Sequence, residues 1–220
     1  MSKHSTLIGI LFLLLGSVVG HAADNPRVRM ETSKGDVIIE LYPDKAPVTV
    51  KNFLRYVHDG AYDHTVFHRV IKGFMNQGGG YTADLKKKDI KTYPPIRNEA
   101  DNGLRNERGT IAMARTGDPD SATNQFFINT ADNSFLDHRG KTRRGWGYAV
   151  FGRVVSGMEV MDRIARVETG GQGPFRSDVP KIPVEIYRIR LIEDGGETVI
   201  DVQQPPEAAR PASDRPSATQ

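Results

Sequence analysis

From Arg27 to Ile192 the chain is cut into short apolar runs, each stopped within a few residues by Gly, Pro, Asp or Asn, and only two stretches hold a helical repeat. The runs are Arg27 to Thr32, Asp36 to Tyr42, Val66 to Ile71, Phe74 to Gln77, Thr110 to Arg115, Gln125 to Asn129, Tyr148 to Val154 and Val184 to Ile192. Ser33-Lys34-Gly35 joins the first two as a hairpin would. In the last run Tyr187, Ile189 and Leu191 alternate with Arg188 and Arg190, which predicts one buried and one wet face. One helix is predicted where Pro47 suits a first turn and Val50, Phe53, Leu54 and Val57 recur before Gly60. A second follows Ser156-Gly157-Met158-Glu159, read as a capping box ahead of Val160, Met161 and Ile164. Many short strands with only two helices point to a mainly β fold built as a closed antiparallel barrel.

The ends differ from this core. Leu7 to Val19 is almost wholly apolar, follows Lys3 and His4, and precedes the small-residue site Gly20-His21-Ala22. The run is shorter than the roughly 20 residues of a spanning helix. It predicts a signal peptide over residues 1–22, cleaved after Ala22, with export to the periplasm and no stable membrane association afterwards. The chain has no cysteine, which excludes a lipoprotein processing site and a disulfide framework, so core packing must supply the stability. Residues 23–195 form one expected domain. Beyond it Pro205, Pro206, Pro211 and Pro216 stand among Ala, Ser and Gln, and residues 196–220 read as a Pro-rich disordered tail. With 30 basic and 27 acidic residues the charge is nearly balanced, so nucleic acid is not an expected partner.

Most catalytic chemistries lack their residues here. His64 and His68 are four apart on a run that reads as a strand, where they would stand roughly 13 Å apart, too far to share one ion. No G-x-S-x-G elbow is present, and Gly78-Gly79-Gly80 lacks the Lys-Ser/Thr of a phosphate loop and reads as a tight turn. Lys86 to Lys88 and Lys141 to Arg144 read as solvated loops, without interleaved aromatics.

Two aromatic strands remain, Phe67-His68-Arg69-Val70-Ile71-Lys72-Gly73-Phe74-Met75-Asn76-Gln77-Gly78-Gly79 and Asn124-Gln125-Phe126-Phe127-Ile128-Asn129. Their residue order resembles the signature of the cyclophilins. The resemblance runs from about Val28 to Leu191 and includes Met113-Ala114-Arg115, Phe135-Leu136-Asp137 and Tyr148-Ala149-Val150-Phe151-Gly152. It implies an eight-stranded barrel capped by two helices, a groove on the outer face, and cofactor-free cis/trans isomerisation of X-Pro bonds in unfolded or flexible polypeptides, by a monomer.

By the same resemblance Arg69 is the catalytic arginine, Phe74, Met75, Phe127 and Leu136 form the proline slot, and Gln77 holds the substrate backbone. Ala114 and Arg115 line the groove, and Gln125 is a polar partner beside the arginine. Phe126 faces the core, and alternation predicts that His68 does too, as a satisfied core histidine. Phe135 stands where many eukaryotic members have Trp, which removes an indole donor and implies weak cyclosporin binding. Tyr148 stands where many have His. These departures, with Arg115, Gly80 and the His138 to Gly147 loop, resemble bacterial periplasmic members. A peptide-holding module without turnover and a scaffold recruited through its Pro-rich tail are the competing readings, and the intact Arg69 argues against the first.

Overall fold

The computed structural model describes residues 25–192, so the expected leader and tail lie outside the described residues. The strands β1 (Arg27–Thr32), β2 (Gly35–Leu41), β3 (Thr65–Ile71), β4 (Met75–Gly78), β5 (Thr110–Met113), β6 (Phe126–Asn129), β7 (Val150–Ser156) and β10 (Glu185–Ile192) pair antiparallel throughout. They close in the order β1-β10-β3-β4-β6-β5-β7-β2, the barrel expected from the sequence. Alternation sorts their side chains to its two sides. Val28, Met30, Val37, Ile39, Phe67, Ile111, Met113, Phe126 and Ile128 join the main core, whereas Ala112, Phe127 and Val150 belong to a second apolar cluster. Phe126 is fully buried, as expected.

Two β-bulges overturn expectations based on strict alternation. Phe67 pairs with Gly78 and Arg69 with Gln77, so His68 is an extra residue in β3. His68 therefore shares the outer side with Arg69 and packs on Tyr81 and Phe175, with ring centroids 4.6 and 5.6 Å away. It is buried, but outside the barrel, so it does not face inward, and its Nδ1 is left without a hydrogen-bond partner among the described residues. In β10 the register shifts between Ile186 and Arg188, which turns Tyr187 outward. Ile186 and Ile189 are buried while Tyr187 and Leu191 are exposed, so the expected Tyr187-Ile189-Leu191 face does not form.

The helices α1 (Pro47–His58) and α2 (Met158–Ile164) pack on the main core through Val50, Phe53 and Tyr56, and through Val160, Met161 and Ile164. Ala46 precedes α1 and offers no capping side chain. Glu99, buried, replaces the cap from far along the chain: its carboxylate accepts from the Val48 and Thr49 amides at 3.2 and 2.8 Å and from Thr49 Oγ1 at 2.8 Å. A negative charge at a helix N-terminus also meets the positive end of the helix dipole. The expected capping box of α2 is absent, because Ser156 ends β7 and Gly157 is the N-cap, at φ +86° with no side-chain hydrogen bond. Only glycine fits there, since a Cβ would come within 2.4 Å of the Asp36 carbonyl oxygen.

A second two-stranded sheet was not expected. β8 (Thr169–Gln172) and β9 (Phe175–Pro180) form a hairpin that lies against β3. Glycines at 170, 171 and 173 weaken any strand signal in this segment, because they offer no side chain to pack.

Candidate active site

Outward-facing residues form a row across five adjacent strands. Arg69 on β3 stands opposite Gln77 on β4, Gln77 opposite Phe127 on β6, Phe127 opposite Ala112 on β5, and Ala112 opposite Val150 on β7. The apolar end of this row, with Met75 and Leu136, makes a buried cluster on the outer wall of the barrel, edged by the half-buried Phe74, Ala114 and Tyr148. Phe127 is 4% exposed and meets the Tyr148 ring edge-on at 5.7 Å. Leu136 arrives on a loop tied to the wall by asparagines. Asn133 Nδ2 donates to Phe74 O at 3.0 Å and to Asn129 Oδ1 at 2.7 Å, while the Asn106 amide donates to Asp137 Oδ1 at 2.7 Å. Phe135, on the same loop, stays 58% exposed and stacks on Phe74 at 5.5 Å, so it forms the rim and not the floor.

The polar end of the row faces this apolar wall. Gln77 Nε2 donates to Gln125 Oε1 at 3.0 Å, which orients both amides. Gly80 makes room for them, because a Cβ there would lie 2.7 Å from the Gln125 side chain. Arg69 is half exposed, with Nε 3.8 Å from Oδ2 of Asp178 on β9. Arg115 lies past the end of β5, where Nε donates to Gly147 O at 2.9 Å and the guanidinium covers the Tyr148 ring at 4.5 Å. The expected site residues thus share one face: Phe74, Met75, Ala114, Phe127, Leu136 and Tyr148 in the apolar cluster, with Arg69, Gln77, Gln125, Phe135 and Arg115 around it. Such a face can hold a small apolar ring against Phe127 and Met75, with amide and guanidinium donors along one side.

Residues 27–191 match the family described as cyclophilin type peptidyl-prolyl cis-trans isomerase/CLD. The chain belongs to the cyclophilin family. It is 51% identical over 195 residues to peptidyl-prolyl cis-trans isomerase A of Dickeya dadantii (strain 3937), covering 88% of this chain and all of the relative. It is 54% identical over 166 residues to peptidyl-prolyl cis-trans isomerase B of Escherichia coli (strain K12), covering 76% and 99%. Among solved structures, a cyclophilin type isomerase of Cryptosporidium parvum superposes with a TM-score of 0.61 at 25% identity, covering 77% of this chain and 99% of the other. A second structure of that protein was determined in the presence of the dipeptide Ala-Pro, and it superposes with the same score.

Three features of this cyclophilin's site escaped sequence reasoning. Ala112 and Val150 are floor residues that alternation about Ile111 and Phe151 could have revealed. Asp178 comes near Arg69 only through the β8–β9 hairpin, and no motif signals it.

The third feature is the buried His68. Burial pushes its pKa down from 6.5 to about 4; a hydrogen bond with the Val66 backbone opposes this, and the Arg69 charge adds to it. Between about pH 6.5 and pH 4 the unfolded chain therefore holds the extra proton, so stability rises with pH across that window and falls on acidification. The whole window is worth about 3 kcal/mol. Urea unfolding at pH 7 and pH 4.5 should show this loss in the wild type and much less of it in His68→Phe. Equal losses in both proteins would assign acid sensitivity elsewhere.

Proposed function

We propose that this cyclophilin-type isomerase accelerates folding of exported polypeptides by interconverting their X-Pro bonds in the periplasm, after its leader is removed behind Ala22. The uncatalysed step faces a barrier of roughly 18–20 kcal/mol and takes tens to hundreds of seconds. No bond is made or broken, so the catalyst has only to bind the twisted amide better than the planar one. As the C–N bond twists, the nitrogen regains its lone pair, and the Arg69 guanidinium donates to it while Gln77 holds the neighbouring backbone. The proline ring rests on Phe127, Met75 and Leu136. The single observation that carries this reading is that Arg69 and Phe127 lie on one outward row with Gln77 between them. The Ala-Pro dipeptide present with the Cryptosporidium protein supports a proline-containing ligand.

Two measurements test the proposal. Purified protein should accelerate cis/trans exchange of an Ala-Pro peptide, read from exchange cross-peaks in NMR, and a protein without effect would overturn the catalytic reading. In the native host, mass spectrometry should find a chain starting at Ala23 in the periplasmic fraction; an intact Met1 start would overturn the export reading. The same groove, with Phe135 open at its rim, supports an accompanying chaperone-like hold on unfolded chains by a monomer.

Drug response follows from Phe135, whose ring has no N–H to donate. Cyclosporin is expected to bind weakly, and Phe135→Trp to bind about tenfold more tightly, the equivalent of one added hydrogen bond. Calorimetry giving equal affinities for the two proteins would remove Phe135 as the determinant.

A further inference from the structure

Beyond Tyr148, on the side away from Arg69, a cleft of about 630 Å³ is lined by Arg115, Thr116, Gly117, Arg143, Arg144 and Tyr148. Three of these six residues are arginines, and no acid lines the cleft. Arg115 is held in place by its bonds to Gly147 O and Thr116 O, both 2.9 Å, and by stacking on Tyr148. Arg143 and Arg144 are exposed at the tip of the 138–147 loop, and neither forms an ion pair among the described residues. That loop is internally braced. His138 Nδ1 meets Trp146 O at 2.8 Å, the Arg139 amide donates to Gly145 O at 2.7 Å, and Trp146 Nε1 donates to Asn98 O at 3.3 Å. Lys141 is already paired with Asp101 at 3.5 Å, and Asp118 and Asp120 on the facing loop are both engaged. The cleft therefore presents unneutralised positive charge on a braced frame. Tyr148 belongs both to this cleft and to the apolar cluster: its ring meets Phe127 edge-on and is covered by the Arg115 guanidinium.

We infer that this cleft selects X-Pro substrates that carry a carboxylate side chain a few residues from the proline, with Arg143 and Arg144 as specificity-determining residues. The inference rests on the isomerase reading, since the cleft is useful only to a chain seated in the slot. Exposed charge pairs are individually weak, but several cations around one acid act together and raise the encounter rate at low salt.

The test uses the full-length mature protein and NMR exchange, which needs no coupling protease. Peptides with an Ala-Pro core carry Glu, Gln or Lys at the positions flanking it. At low salt the Glu peptide should be turned over about 5- to 10-fold more efficiently in kcat/KM than the Lys peptide, with Gln between them. About 0.5 M salt should erase most of that difference by screening. Arg143→Ser/Arg144→Ser should also erase it, while leaving turnover of the Gln peptide near wild type and the circular dichroism spectrum unchanged. Equal kcat/KM for all three peptides, with normal turnover of the Gln peptide, would overturn charge selection and leave the isomerase reading standing. Retention of the full preference in the double variant would overturn the assignment to this cleft. Loss of turnover on every peptide by the wild type would overturn the isomerase reading, and this inference with it.

Discussion

Arg69→Ala is expected to lower kcat/KM on an Ala-Pro peptide by about 10²–10³-fold, or roughly 3–4 kcal/mol of transition-state stabilisation. Peptide affinity should change little. The planar amide has its nitrogen lone pair delocalised into the carbonyl, so the guanidinium gains a strong acceptor only when the bond twists, and such a contact appears in turnover and not in ground-state binding. Stability should also hold, because the side chain is half exposed and its ion pair with Asp178, at 3.8 Å, is loose. Arg69→Lys is an informative companion, since it keeps the charge but loses the planar fork of donors. Turnover and affinity are measured on the same folded preparation. Near wild-type turnover in Arg69→Ala would refute the electrostatic mechanism and leave shape and desolvation of the groove as the source of catalysis.

Phe127→Ala should fail in a different way, losing stability, affinity and turnover together. The ring is 4% exposed, sits among Met75, Ala112, Leu136 and Val150, and meets Tyr148 edge-on. Truncating a buried Phe costs about 3–5 kcal/mol, the lost transfer free energy plus the cavity left behind. The same cavity removes the floor on which a proline ring would rest. Urea unfolding gives the stability loss, and peptide titration under conditions where the variant stays folded gives the affinity loss. A stability change below about 1 kcal/mol would mean that the outer cluster does not form as described. A full stability loss with unchanged peptide affinity would put the proline elsewhere on the barrel.

The contrast between Phe126 and Phe127 was legible in the sequence, because adjacent residues in a strand face opposite sides and the pair sits in a run long enough to be read as a strand. The same reasoning went wrong at His68 and Tyr187. A bulge adds one residue to one strand without leaving a mark in hydrophobicity, so every parity argument that crosses it inverts. In β3 that inversion puts His68 and Arg69 on the same side, one beneath the β8–β9 hairpin and the other on the groove.

The sequence by itself determined the strand-rich barrel, the two helices and the motif residues that the structure gathers on one outer face. Those depend on local periodicity and on a motif whose order is preserved along the chain. Only the tertiary structure decided which side of β3 carries His68, that Glu99 caps α1 from 50 residues away through the Thr49 amide, and that Asp178 approaches Arg69. It alone also brought Arg115 together with Arg143 and Arg144. These arrangements join residues far apart in the chain, and they follow from barrel closure and strand register, which no local window of sequence contains.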